Sequence, residues 1–225
     1  MYVTPGSALK YWRRDLGKID PDLLRLASTH VKPGSRVWDI GANVGLFSFA
    51  AAGIAGTHGQ VVALEPDTRL VEIIRKSIRL PENNNLRLDI LPVSMAAELG
   101  VSRFEIAARG RSANHLADVI GSSQSGGVST SYPVMTITLD WLLEQYGRPD
   151  LIKIDVEGAE LLVLQGGKMT LTKARPVIMC EVSEINSQNI STLLQQHAYT
   201  LFDWEKNDGI PIELASFNTL AVPRD

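Results

Sequence analysis

Three acidic residues each close a short apolar run: Asp39 in RVWDI, Glu65 in QVVALE and Asp155 in LIKID. Runs of this length, rich in β-branched residues, predict buried strands. The carboxylates therefore belong at strand ends, where an open parallel sheet binds its ligands. Asp39 is followed by the turn Gly41-Ala42-Asn43-Val44-Gly45. Glycines there let the backbone approach a ligand closely before a helix begins. A carboxylate beside that turn repels phosphate and suits a cationic group. Glu65 follows the turn at a spacing of about 20 residues or slightly more, that of a nucleotide-binding βαβ unit, and a carboxylate there can accept hydrogen bonds from two ribose hydroxyls. A dinucleotide favours GxGxxG, so that helix N-terminal amides hold its pyrophosphate, and GANVG departs from that pattern. A donor with an α-ammonium, a sulfonium, a ribose and no phosphate, S-adenosylmethionine, fits these residues better.

Asp155 is the first candidate for a catalytic carboxylate. Lys153 lies two residues earlier, on the same strand face, and a lysine inside a central strand needs a partner. Asp39, Asp155 and Glu181 are the possible ones. If Asp155 is the partner, it is a weaker base but a better clamp for a cation. Glu157, in the following loop, could reach substrate, whereas Glu160, in the first helical turn, is read as structural. Asp155, Glu157 and Glu181 could converge on Mg²⁺ through oxygen ligands. No fixed metal spacing is present, so no metal ligand is assigned. His115 is a further candidate base because imidazole titrates near neutral pH. Arg109, Arg111, Ser112 and Asn114 around it could bind an oxygen-rich substrate, and Tyr11, Trp12 and Arg13 could form part of a lid.

The elements that must position these groups follow from pattern. DPDLLRLASTH reads as a helix capped by Asp20 with Pro21 in its first turn. The strand RVWDI, the helix LFSFAAAGIA, the strand QVVALE, the helix DTRLVEIIRKSIRL and the strand NLRLDIL alternate, which implies parallel pairing with right-handed crossovers. SRFEIAA (102–108) and YPVMTIT (132–138) read as strands or extended arms around the Ser/Gly loop 121–131. LDWLLEQYG, AELLVLQGG and INSQNISTLLQQHA read as helices, and LIKID and PVIMCEVS as strands. YTLFDW and ELASFNTLAVP lack a helix between them and should pair antiparallel at the sheet edge. Residues 1–32 form an N-terminal segment or lid, and 33–225 one three-layer α/β domain.

The chain has 225 residues and a formal net charge of −3, with one cysteine, Cys180. The length suits a single core. The charge gives no basic footprint for nucleic acid, and no intrachain disulfide or cysteine zinc site can form. No apolar run reaches the ~20 residues of a membrane span. Proline and glycine in MYVTPGSALKYWRRDLG fall where a signal peptide needs its apolar centre. A soluble cytoplasmic protein is the expectation, with no oligomeric state specified.

VWDIGANVGLFSF, VVALEPD, TITLDWLL, LIKIDVEGAELLVLQGG and PVIMCEVS, in that order, resemble the FkbM family of S-adenosylmethionine-dependent methyltransferases, over roughly residues 33–185. The resemblance implies a Rossmann-like class I methyltransferase fold, with a mainly parallel seven-stranded sheet and an antiparallel edge hairpin. It implies O-methylation of a hydroxyl on a small molecule such as a sugar, glycolipid or polyketide-type metabolite. Asp39, Gly41, Asn43 and Gly45 then form the methionine-side loop, completed by Ala42. Glu65 takes the ribose beside Pro66, and Asp155 faces the transferring methyl. Where members often carry an AVSD-like run, this chain has PVSM (92–95): Met95 replaces the acid and Pro92 lacks an N–H. Asp89, Val93 and Ser94 are the adenine-side candidates. The alternatives are a nicotinamide-dependent oxidoreductase, which GANVG and the lack of a Tyr-x-x-x-Lys pair oppose, and a nucleotide-binding module without catalysis. Amino methylation of nucleic acid lacks its Asn/Asp-Pro-Pro-aromatic motif here.

Overall fold

The computed structural model describes residues 1–3, 20–107, 115–116 and 128–224. The chain runs α1 (Pro21–His30), β1 (Arg36–Ile40), α2 (Leu46–Ala55), β2 (Gln60–Leu64), α3 (Thr68–Ile78), β3 (Leu88–Leu91), β4 (Ser94–Met95), β5 (Gly100–Ala107), β6 (His115–Leu116) and β7 (Val128–Ile137). It continues α4 (Leu139–Tyr146), β8 (Leu151–Ile154), α5 (Glu160–Gln165), β9 (Val177–Glu181), α6 (Ser187–Gln196), β10 (Tyr199–Asp203), β11 (Pro211–Ile212) and β12 (Asn218–Pro223).

The main sheet has the order β11-β10-β12-β9-β8-β1-β2-β3. From β9 to β3 every pair is parallel. β12 runs antiparallel to both β9 and β10, so the expected hairpin forms with β12 on its inner side. The two-residue β11 raises the strand count from the expected seven to eight. Asp20 caps α1 by accepting the Leu23 N–H, with Pro21 at the first position, as the sequence predicts.

Apart from the buried Asp39 and Lys153, the inward positions of β1, β2 and β8 are apolar on both faces because helices cover both. One face buries Trp38, Ile40, Ile152 and Ile154 with Leu139, Val163 and Ile190 from α4, α5 and α6. The other buries Val37, Val61 and Leu151 with Leu26, Phe47 and Ile74 from α1, α2 and α3. Each such side chain stabilises the fold by roughly 1.5–3 kcal/mol relative to exposure. α1 therefore belongs to the packed core. Residues 4–19, including Tyr11, Trp12 and Arg13, lie outside the described residues.

The two arms expected around the Ser/Gly loop form a separate sheet with the order β4-β7-β5-β6. β5 and β7 pair antiparallel from Gly100↔Thr136 outward. Phe104, Ile106 and Val134 make a small apolar cluster of their own, with Tyr132 packed on it.

Candidate active site

Strand order reverses between β1 and β8. Asp39 faces Lys153 in register across that boundary. The Lys153 ammonium lies 3.1 Å from Asp155 Oδ2 and 3.6 Å from Asp39 Oδ1. Asp39 is 0% exposed and Lys153 5%. Burial pushes the Asp39 carboxyl up, and Lys153 and the donating Ser48 hydroxyl partly offset it. Burial alone would lower the Lys153 pKa, but the charges of Asp155, Asp39 and Glu181 outweigh it, so the ammonium is held above its ordinary value. Of the three partners that the sequence left as alternatives, Asp155 and Asp39 pair with Lys153 directly, and the Glu181 charge also acts on it.

The turn after β1 is built around left-handed backbone. Gly41 has φ +80°, Asn43 +53° and Gly45 +83°. The Gly41 and Ala42 N–H groups both donate to the Leu64 carbonyl, and the Asp155 N–H donates to Ile40. A Cβ at position 41 would stand 1.8 Å from the Asp155 carbonyl oxygen. Glycine is required there so that the ends of β1 and β8 can meet. Two side-chain oxygens in this region, Asp39 Oδ1 and Asn43 Oδ1, are buried without a hydrogen-bond partner.

Glu65 is buried just past β2. Its Oε2 accepts the Asn43 N–H at 2.9 Å and its Oε1 the Asp67 N–H at 2.8 Å. Burial pushes its carboxyl up to about 8, against the pull of those two N–H groups and with the charges of Asp67 and Asp39 adding to it. Each oxygen keeps a second lone pair for a hydroxyl. The Pro66 carbonyl accepts the Tyr132 hydroxyl at 3.2 Å, which ties the second sheet to this loop. Nothing in YPVMTIT marks Tyr132 for that role.

Val93 and Ser94 lie just beyond β3, with Val93 packed on the core and Ser94 paired with β7. Asp89 does not join them. It sits mid-strand opposite Val62, and it accepts a hydrogen bond from Gln60 Nε2 at 3.0 Å. Gln60 opens β2, so this carboxylate is engaged at the far end of the sheet from Glu65.

Beyond Asp155 the chain makes a left-handed corner, with Glu157 at φ +50° and Gly158 at +103°. Glu157 is an exposed residue, yet its carboxyl is pushed up to about 7. Desolvation is the main cause, followed by the charges of Asp155, Glu181 and Glu160. Glu160, 2% exposed, clamps this corner. Its Oε1 accepts the Gly158 N–H at 2.6 Å, and its Oε2 accepts from Ser183 Oγ and Asn186 Nδ2. Asn186 Nδ2 also donates to the Gly158 carbonyl at 2.9 Å. Glu160 is structural, as expected, but through this grip rather than through the helix dipole alone.

The charges of Asp155 and Glu181 both act on Glu157, but among the described residues no group of three or more His, Cys, Asp or Glu is arranged to hold a metal. The His115 backbone lies in β6, opposite Glu105 at the edge of the second sheet. Arg109, Arg111, Ser112 and Asn114 lie outside the described residues.

A match to the Methyltransferase FkbM domain family covers residues 39–205, from Asp39 through the strands described above. The chain is 27% identical over 199 residues to the hexuronic acid methyltransferase AglP of Haloferax volcanii, covering 86% of this chain and 75% of that protein. Among solved structures, a methyltransferase FkbM from Methylobacillus flagellatus KT superposes with a TM-score of 0.53 and 12% identity, over 96% of this chain and 58% of that one. A precorrin-6y C5,15-methyltransferase from Geobacter metallireducens GS-15 gives 0.51 and 12%, over 92% and 88%. These two likenesses support the fold.

Proposed function

The chain belongs to the FkbM methyltransferase family, and from that premise we propose that it is an O-methyltransferase that uses S-adenosylmethionine to methylate a hydroxyl of a small, oxygen-rich molecule. The observation that carries this reading is Asp39. It is fully buried at the switch point, its Oδ1 held only at 3.6 Å by the Lys153 ammonium, beside a glycine turn that carries the buried Asn43 Oδ1 without a hydrogen-bond partner. A row of acceptor oxygens suits an ammonium group and opposes a diphosphate. The residues present therefore fit the methyl donor and not a dinucleotide.

When bound, S-adenosylmethionine supplies a methyl group on a positively charged sulfur, open to attack by an oxygen. Asp39 and Asn43 would hold its amino-acid end, and Glu65 its ribose. Asp155, paired with Lys153, is suited to electrostatic positioning beside the sulfonium. Glu157 is the better general base. Its pKa of about 7 leaves a large ionised fraction at neutral pH while keeping the carboxylate basic enough to take the acceptor's hydroxyl proton. The similarity to a hexuronic acid methyltransferase supports a sugar-like acceptor.

Titration calorimetry tests the reading. Micromolar binding of S-adenosylmethionine and no binding of NAD are expected. Glu157→Gln should keep that affinity and lower turnover by roughly 10²- to 10⁴-fold. Binding of NAD in preference, or full turnover by the variant, contradicts it.

A further inference from the structure

Glu65 and Tyr132 hold one peptide group from opposite ends. The unit that joins Pro66 to Asp67 has one N–H and one carbonyl. Its N–H donates to Glu65 Oε1 at 2.8 Å, and its carbonyl accepts the Tyr132 hydroxyl at 3.2 Å. Glu65 is the residue assigned above to the ribose, and Tyr132 belongs to β7 of the second sheet. We propose that Tyr132 is a positioning residue of the methyl-transfer site: through this peptide it links the seat of the donor's ribose to the β5–β7 arm, so that donor binding fixes the arm in place. The inference rests on the methyltransferase reading and adds to it a path from the donor to the second sheet.

The peptide is held where such a link must be held. Asp67 caps α3, its Oδ1 accepting the Arg69 N–H at 2.9 Å, and that helix is buried through Leu70, Val71 and Ile74. The other Glu65 oxygen accepts the Asn43 N–H, so the carboxylate cannot turn away from the peptide without losing a second bond. Hydrogen bonds in series polarise one another, by about 10–30% per bond. A negative carboxylate on the N–H thus makes the carbonyl a better acceptor for the Tyr132 hydroxyl. Burial keeps a proton on Glu65 up to about pH 8, whereas two ribose hydroxyls use both of its oxygens as acceptors. Donor binding therefore favours the ionised carboxylate and, one peptide further on, a firmer Tyr132 bond.

The arm is built to respond. β7 pairs with β4 at Ser94↔Thr136 and Met95↔Ile137, and Met95 and Ile137 are buried in the main core. That fixes the base of the arm. Tyr132 lies four residues from Thr136, about 14 Å along an extended strand, and makes a further attachment there. The arm's own core is small, Phe104, Ile106 and Val134 with Tyr132 packed on it. Strands with so few buried apolar contacts open easily, so a single hydrogen bond at Tyr132 matters. The Tyr132 ring meets Phe104 edge-on, 5.9 Å between centroids, which brings β5 into the same attachment. Tyr132→Phe removes the hydroxyl and keeps that ring contact.

The test is hydrogen exchange read by mass spectrometry, on the full chain with and without saturating S-adenosylhomocysteine. In the unaltered chain the ligand should slow exchange at residues 41–45 and 65–68, and also, by about threefold, in the arm peptides 102–107 and 128–134. Tyr132→Phe should keep the slowing at 41–45 and lose it in the arm. Because linkage is reciprocal, the variant should also bind S-adenosylhomocysteine about twofold to fivefold more weakly. A merely structural hydroxyl would raise arm exchange equally with and without ligand and leave the ligand's effect intact. The proposal is overturned by no slowing in the arm of the unaltered chain, or by an equal slowing in Tyr132→Phe. A loss of affinity greater than about tenfold, more than one such bond supplies, would make Tyr132 a direct binding group and overturn it as well. No binding, with no slowing at 41–45, would instead overturn the methyltransferase reading beneath it.

Discussion

Lys153 Nζ stands 3.1 Å from Asp155 Oδ2, on the strand face that also carries the buried Asp39 carboxylate 3.6 Å away. A buried ammonium held between two acids is stable only while both sides of the pairing are present. Lys153→Met keeps the volume and removes the charge. It leaves Asp39 with burial opposing its ionised form and only Ser48 to offset it. Breaking a buried pair in this way costs about 3–5 kcal/mol. Urea unfolding should show that loss at pH 8. The loss should shrink at low pH, because a protonated Asp39 no longer needs the lysine.

Glu65 gives a second, opposite-looking pH effect. Its pKa is about 8 in the folded chain against an ordinary 4.5. Between those values the folded state binds the proton that the unfolded state has released, so stability falls as pH rises through the window and levels off above about pH 8. Glu65→Gln should flatten that part of the stability profile. Ribose hydroxyls favour the ionised carboxylate, so binding S-adenosylmethionine at pH 7 should release part of a proton, visible as a buffer-dependent binding enthalpy. Glu65→Ala should weaken the binding by roughly 1–3 kcal/mol, through lost charge-assisted hydrogen bonds.

Gly41 tests the contact between the ends of β1 and β8. Gly41→Ala places a Cβ 1.8 Å from the Asp155 carbonyl at a φ of +80°. The left-handed conformation alone costs about 1–2 kcal/mol for a residue with a side chain, and the clash adds to it. Thermal unfolding should show a lower midpoint, and calorimetry weaker binding of S-adenosylmethionine. Gly34→Ala is the control. It shares a left-handed φ of +87° but meets no atom within 4 Å, so it should carry the conformational cost without the loss of binding.

Glu160 and Asn186 grip the Gly158 peptide from both sides and so fix the corner that carries Glu157. Glu160→Gln, with one acceptor oxygen instead of two, should lower kcat by more than tenfold and move the midpoint of the pH–rate profile. KM for S-adenosylmethionine should stay within about twofold. Asn186→Ala, which removes only one grip on Gly158, should cost less. Equal losses in kcat and in affinity would mean a general structural role instead.

The strand-end acids were legible in the sequence because each closes an apolar run, and parallel pairing brings such ends together whatever the distant parts of the chain do. The α1 cap was legible because Asp20 and Pro21 act within one turn. Asp89 was an adenine-side candidate through the family resemblance alone, and its carboxylate is engaged by Gln60 at the other end of β2. The Glu160 clamp depends on Ser183 and Asn186, more than twenty residues away and on a different strand-to-helix connection, so no local pattern encodes it. The Tyr132 link to Pro66 spans 66 residues and two sheets, and was invisible for the same reason. The two arms read as strands, but a separate four-stranded sheet could not be inferred from them, since β4 and β6 are only two residues long.

A crystal structure with S-adenosylhomocysteine tests the central claim most directly. The account predicts both ribose hydroxyls on the Glu65 carboxylate, the amino group against Asp39, and the sulfur facing Asp155 and Glu157. A nucleoside bound away from Glu65, or an amino group turned from Asp39 toward solvent, would contradict it.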